Sequence, residues 1–327
     1  MFGEGQDWFF TPPTSTTYTL TSAPTTIAGG TGYAVIDATT GTLIAGDVID
    51  PAGVHNTLVL IGAGVFDMAL PTTFANIQLV KGDPAAAQTV TLAPSDYLTF
   101  IGGNGNDTVT ALAADDQIVL GNGNNTIQGG SGTDSIAVGS GNNQITAGSG
   151  FTTVTLGSGH NTVVGGSGNL VVTSTNGTDT ITGGTAQTTV YAGAGTDTIT
   201  SGASGSLTVN AGIGTTTVNA ITGNDTIIAG QGNTTAALGS GTDVIKLVHG
   251  TGTVQVTGFI PGTDTIDVSG LTLTSFSNLQ ADSTISSTAS GTTIQFHYGP
   301  TIDLVGVTSV SAADFTFGHA HPGVFSG

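Results

Sequence analysis

An all-β chain built around a parallel β-roll, a β-solenoid of nonapeptide repeats, is predicted by three observations. These are a nine-residue period, an apolar residue at one fixed place of that period, and glycine-rich turns between the apolar places. The period opens with Gly102-Gly103-Asn104-Gly105-Asn106-Asp107-Thr108-Val109-Thr110. Stepping by nine from Val109 gives Ile118, Ile127, Ile136, Ile145, Val154, Val163, Val172, Ile181, Val190 and Ile199. After one extra residue near Ser201 the series resumes as Val209, Val218, Ile227, Ala236, Ile245 and Val254. Every one of these places is apolar and all but Ala236 are Val or Ile, which chance does not produce.

Three segments follow from this pattern. Residues 1–101 carry alternating apolar runs, Asn56-Thr57-Leu58-Val59-Leu60-Ile61, Asn76-Ile77-Gln78-Leu79-Val80 and Thr89-Val90-Thr91-Leu92. They read as strands of an irregular β region that leads into the roll and covers its first open edge. Phe2, Trp8, Phe9 and Phe10 cluster at the start, either as a plug on the protein's own core or as an arm that docks on a neighbouring subunit. Residues 102–255 form the roll itself. Successive nonapeptides lie on opposite sides, so stacked neighbours are 18 residues apart. The glycine-rich half of each repeat supplies positive-φ turns, and the following triplet supplies a short strand whose middle residue points inward. Residues 256–327 form a β cap and a secretion-signal-like end.

Composition narrows the function classes. The chain has 327 residues, 53 of them Gly, and a net charge of -19. Lys81 and Lys246 are its only basic side chains besides histidine, and Glu4 is its only Glu, so nearly all the acid is Asp. Without a basic patch, nucleic acid and anionic membrane are unsuitable partners; a cation is a suitable one. A hydrophobic content of 37% with a strict period argues against disorder. No cysteine is present, so stability must come from stacking and metal. Met1 to Phe10 has no basic run followed by an apolar one, and no segment approaches the roughly 18 apolar residues of a membrane span. Neither a standard signal peptide nor a transmembrane segment is expected.

The sixth place of the repeat holds Asp107, Asp116, Asp134, Asp179, Asp197, Asp225 and Asp243, with Asn125, Asn143 and Asn161 among the remainder. Carboxylates recurring at one place suit a hard divalent ion such as Ca2+, held between adjacent turns by carboxylate and backbone carbonyl oxygens. Three pairs are 18 apart: Asp116 with Asp134 and Asp225 with Asp243 on one side, Asp179 with Asp197 on the other. Asp107 stacks over Asn125, and the asparagine column offers neutral oxygens and amide ladders, so sites should be fewer than repeats. The competing reading is that these Asp and Asn residues merely cap turns through local hydrogen bonds.

These residues resemble the hemolysin-type calcium-binding repeats of the RTX family of secreted bacterial proteins, over roughly residues 102–317. Val256-Thr257-Gly258-Phe259-Ile260-Pro261-Gly262-Thr263-Asp264-Thr265-Ile266-Asp267-Val268-Ser269 is similar to the family's segment after the roll, with Gly258 replacing its usual Asp. On that resemblance Asp264 joins the metal set. Thr301 to Val307 and Ala312 to Phe317 are similar to the ends that such proteins present to a type I secretion apparatus, although Gly318 to Gly327 run past the usual ending. The resemblance implies export in an unfolded state and folding outside the cell, where calcium binds only the folded form.

Relatives often carry a catalytic domain, but a His-Glu-x-x-His motif is impossible here with Glu4 as the only Glu. Gly157-Ser158-Gly159-His160 sits in a repeat turn and recurs as Gly139-Ser140-Gly141 and Gly239-Ser240-Gly241, which makes His160 a turn substitution rather than a catalyst. His55, His249 and His297 are isolated, and His319 with His321 make a two-ligand tail of little use to a metal. The expectation is a non-enzymatic, secreted structural protein that self-assembles as a homo-oligomer or polymer, in a surface layer, filament or matrix at the bacterial cell surface. The alternative is an ice-binding or carbohydrate-adhesive face made of Thr108/Thr110, Thr180/Thr182 and Thr198/Thr200, interrupted at Thr126/Gln128, Gln144/Thr146 and Thr162/Val164.

Overall fold

The fold follows from where a β-branched residue can go once a glycine turn has reversed the chain. The structure is a computed structural model that describes residues 15–318 except 31, 96 and 251. The N-terminal aromatic residues Phe2, Trp8, Phe9 and Phe10 and the pair His319 and His321 therefore lie outside the described residues. The chain winds as an all-β parallel solenoid of about 14 turns. Alternate strands feed a 15-stranded sheet and a 14-stranded sheet. At the spacing of hydrogen-bonded strands, about 4.8 Å, the longer sheet extends for roughly 65 to 70 Å.

Within the repeats a three-residue strand such as Thr108–Thr110 has one inward residue, and a five-residue strand such as Asp116–Leu120 has three. The predicted inward places from Val109 to Val254 are all buried, none more than 1% exposed. From Val109 to Ile245 they stack in register, Val109 on Ile127 and Ile118 on Ile136. Each such side chain contributes about 1.5 to 3 kcal/mol by leaving water, and it contacts chiefly its neighbours one coil away, so stability accumulates coil by coil. The turns hold their glycines for a steric reason. Gly123, Gly141, Gly159 and Gly177 lie in one column with φ between 134° and 136°. A Cβ on Gly141 would fall 2.1 Å from the carbonyl oxygen of Gly123. The backbones of adjacent coils touch there, and no side chain fits between them.

The expected 18-residue spacing holds from Leu98 to Lys246, with one 19-residue coil where Thr188 pairs with Leu207. The next coils lengthen to 20 and 21 residues, so Val254 stacks on Thr234, Val256 rather than Val254 continues the column from Ala236, and Val244 pairs with Thr265. The extra residue near Ser201 is absorbed in that turn, and the inward column is not shifted. The strands expected at 56–61, 76–80 and 89–92 are present as Asn56–Ile61, Ile77–Lys81 and Gln88–Thr91. They belong to the same two sheets as the repeats, so there is no break at residue 101. What is irregular is coil length: Ser15 pairs with Tyr33, Val35 with Thr57, Thr57 with Leu79 and Leu79 with Thr99, giving coils of 18, 22, 22 and 20 residues. The longer coils enclose the bulky buried residues Phe66, Met68 and Phe100, and they carry a third, three-stranded sheet of Thr26–Gly29, Val48–Pro51 and Thr73–Phe74.

At the other end the stacking stops by a change of strand direction. Thr253–Thr257 pairs in parallel with Thr301–Val305, which continues antiparallel to Gly291–Phe296 and then Ser283–Thr288. A short helix, Phe276–Asp282, begins where the Ser275 hydroxyl accepts a hydrogen bond from the Asn278 N–H, and it buries Leu279. Phe315–Thr316 adds to Thr265–Asp267 as the last strand of the longer sheet. The Phe315 ring lies 5.7 Å from that of Phe276 and 6.0 Å from that of Phe317. The terminal residues singled out for their resemblance to a secretion signal are thus folded into the cap.

Candidate metal centres

The sixth place of each repeat closes the glycine turn and points into the solenoid. Asp107, Asp116, Asp134, Asp179, Asp197, Asp225, Asp243 and Asp264 are all 2% exposed or less. Along each edge the backbone N–H of one coil donates to the side-chain oxygen one coil further on. Leu98 N–H donates to Asp116 Oδ1 and Asp116 N–H to Asp134 Oδ1, both at 3.2 Å. Asp179 N–H donates to Asp197 Oδ1 at 3.0 Å. Leu207, Asp225 and Asp243 donate in turn to Asp225, Asp243 and Asp264, at 2.7, 2.9 and 3.0 Å.

The structure brings the three expected pairs together and lengthens one of them. Asp264 stacks under Asp243 although 21 residues separate them, because the intervening turn is longer while the strands stay in register, Val244 on Thr265. The second oxygens separate the columns. Asp107 Oδ2, Asp116 Oδ2, Asp225 Oδ2 and Asp243 Oδ2 are buried with no hydrogen-bond partner among the described residues. Asp134 Oδ2 instead accepts from Gly130 N–H, Asp264 Oδ2 from Ile260 N–H and Asp179 Oδ2 from the Ser174 hydroxyl. The Asp179/Asp197 pair is therefore better supplied with donors than Asp225/Asp243.

Burial raises the pKa of these groups. Asp116 is pushed up to about 7 by loss of water, with further contributions from Asp134 and Asp115. Asp197 and Asp225 rise to about 6, again from burial first, then from Asp179 and Asp243 respectively. Asp107, Asp134 and Asp243 are also raised, chiefly by burial. No basic side chain offsets them, and Lys246 pairs at 3.6 Å with Asp267. Buried anions with orphaned oxygens call for a cation.

The fit to a hard divalent ion is favourable. Lone pairs are free, and glycine leaves room beside them: a Cβ on Gly102 would stand 2.9 Å from Asp107 Oδ2. Among the described residues no three His, Asp or Glu side chains converge on one point. An ion here would take one or two carboxylates and complete its shell with backbone carbonyls, which suits calcium better than a metal needing nitrogen or sulfur. Exposed His160 lies on a turn surface, and the neighbouring Ser158 hydroxyl meets that of Ser140 at 3.2 Å, a turn contact repeated between coils.

The spacing rule missed part of the ladder. In the N-terminal coils Ala34 N–H donates to Asn56 Oδ1 and Asn56 N–H to Gln78 Oε1, the same lacing at a spacing of 22 residues. Buried Asp47 accepts from Thr25 and Ile44 N–H on its two oxygens. Only the register of the strands reveals these positions. Ser174 was also unmarked; it ends the strand before the turn that Asp179 closes, five residues earlier.

The solenoid with its columns of inward carboxylates defines a calcium-binding β-solenoid class. The RTX calcium-binding nonapeptide repeat model, in copies of four, matches residues 99–127, 120–154, 137–169, 173–204 and 210–245. The chain thus carries RTX repeats, whose family binds calcium. The matches include every aspartate of the metal set except Asp264. No curated protein matches the chain at a significant level.

Proposed function

We propose that the protein is a secreted, calcium-binding structural scaffold that assembles with copies of itself into a surface layer, filament or extracellular matrix. Its ligands for calcium would be Asp107, Asp116, Asp134, Asp179, Asp197, Asp225, Asp243 and Asp264. The observation that carries the reading is that two sheets run through the described chain and enclose buried carboxylate oxygens without donors. RTX repeats are typical of secreted proteins, and their solenoids are typically non-catalytic. No catalytic role is assigned. The chain's own residues would set the turn geometry, hold the carboxylates inward and exclude water; calcium would supply the charge that lets them remain ionised.

The test is negative-stain electron microscopy of protein dialysed from chelator into millimolar calcium, beside a chelated control. Ordered sheets or fibres only with calcium support the scaffold. A strict monomer at high concentration in calcium counts against assembly.

A second reading is favoured by one observation. The first outward place of the shorter sheet aligns Thr89, Thr108, Thr126, Gln144, Thr162, Thr180, Thr198, Thr217 and Thr235 on neighbouring strands. A flat column of hydroxyl and methyl groups at strand spacing could order water or lie along a polysaccharide. Thr is also a common strand residue, so alignment alone is modest support. Absence of both thermal hysteresis and glycan retention by the folded protein would remove this reading.

A further inference from the structure

One stretch of the solenoid lacks carboxylates altogether. Residues 135–178 contain no Asp or Glu, and they lie between Asp134 and Asp179. On one edge of these coils the sixth place is Thr152 and then Leu170; on the other it is Asn143 and then Asn161, continuing upward to Asn125. All three asparagines are 1% exposed.

Each amide bonds in two directions. Asp107, Asn125 and Asn143 N–H donate to Oδ1 of Asn125, Asn143 and Asn161, at 2.9, 3.1 and 3.2 Å. The Nδ2 groups of Asn125, Asn143 and Asn161 donate to Oδ1 of Asn143, Asn161 and Asp179, at 2.9, 2.8 and 2.8 Å. Where the aspartate columns present an orphaned oxygen, this column presents an N–H that already has its acceptor.

The turn surface adds bonds of the opposite sense. Asn122 and Asn124 N–H donate to Oδ1 of Asn104 and Asn106 at 2.9 and 2.7 Å. Ser140, Asn142 and His160 N–H donate to Oδ1 of Asn122, Asn124 and Asn142 at 2.9, 2.8 and 3.0 Å. Inner side chains reach back to the preceding coil and outer ones reach forward, so on this edge the junctions from Asn125 to Asn161 are laced both ways by neutral groups.

We propose that calcium uptake is confined to the aspartate-bearing flanks, and that residues 135–178 are a metal-independent block in which the asparagine amide takes the place of the ion. The block stays stacked in chelator and offers the flanking coils a preformed edge on which to add when calcium arrives. It supplies five strands to the two sheets together with the Asp134–Val138 strand, enough to share an apolar core. This proposal rests on the reading of the aspartate columns as calcium sites.

Hydrogen exchange read by mass spectrometry on the full chain, in calcium and in chelator, tests it. In chelator, amides of Gln144–Thr146, Thr152–Leu156 and Thr162–Val164 should stay within about 10-fold of their calcium rates, while those of Val244–Lys246 and Thr265–Asp267 exchange at least roughly 100-fold faster. Equal loss of protection in block and flanks overturns the proposal and leaves the calcium sites standing. Full protection everywhere in chelator overturns both. Asn143→Asp sharpens the test, because it exchanges the donor for a second carboxylate oxygen at nearly constant size. Its block should lose protection in chelator to the level of the flanks and regain it in calcium; unchanged protection in chelator would overturn the amide's role.

Discussion

The asparagine column and the Asp225, Asp243, Asp264 column occupy the same place of the repeat and make the same backbone hydrogen bond, yet they differ in what they leave over. Asn125, Asn143 and Asn161 have every polar atom of the ladder engaged. Asp225 and Asp243 each keep one buried oxygen without a donor. The replacement of an NH2 group by an oxygen changes a closed ladder into one that needs a proton or a cation. On the proposed reading of the aspartates as calcium ligands, metal dependence would be set one coil junction at a time by a single atom, while the backbone and the apolar column continue through both regions.

The largest expected effect is that of pH on calcium-free protein, because it acts on all the raised carboxylates together. Burial holds Asp116 at about 7 and Asp197 and Asp225 at about 6 in the folded chain, against an ordinary value of 3.8. The folded state therefore holds protons that the unfolded state has released. Its extra stability is fully present below about pH 4 and is lost as pH rises through 6 to 7. Melting in chelator should occur at a higher temperature at pH 5 than at pH 8. In saturating calcium the order should reverse, since protons compete with the ion. The same order under both conditions would break the contrast between the columns.

Next in size is Asn143→Leu. It leaves the Asn125 N–H and Nδ2 without their acceptor and takes from Asn161 Oδ1 the Nδ2 donor, while the backbone N–H of residue 143 still donates to it. Buried unpaired groups cost about 1 to 3 kcal/mol each, partly relieved by local relaxation, so a loss of about 2 to 4 kcal/mol is expected by urea unfolding. The loss should be alike in chelator and calcium. A larger loss in calcium than in chelator would place an ion in the asparagine column. Asp243→Asn is the reciprocal change and has opposite signs in the two media. It should raise stability in chelator by about 1 kcal/mol, by giving a donor and removing a buried charge. It should also weaken calcium binding by about 10-fold or more, measured by titration calorimetry.

How far the sequence discloses all this depends on regular spacing. The inward Val and Ile places, the two-sided roll and the pairs Asp116/Asp134, Asp179/Asp197 and Asp225/Asp243 were legible because 18-residue coils put equal places in contact. Stacking of Asp264 on Asp243 was hidden by a 21-residue coil, and the lacing through Asn56 and Gln78 by coils of 22 residues. Continuity of the N-terminal strands with the repeats was hidden for the same reason: in longer coils the apolar places no longer recur at nine. Which oxygens lack donors was never legible, because Ser174 reaches Asp179 across the turn between them and Gly130 reaches Asp134 through its backbone.

The smallest effect separates the inner ladder from the outer one. Asn124 accepts the Asn142 N–H at 2.8 Å, a bond as short as any in the buried column, but both residues are exposed. Water can replace the lost acceptor when Asn124 becomes Ala, so the cost falls to about 0.5 kcal/mol, the low end for a single hydrogen bond. Asn143→Leu and Asn124→Ala lie on neighbouring coils of one edge, and their effects should differ several-fold in the same urea titration. If Asn124→Ala cost as much as Asn143→Leu, the surface lacing rather than the buried amides would hold the asparagine edge, and the exchange of Asn for Asp inside the solenoid would lose its place as the determinant of metal dependence.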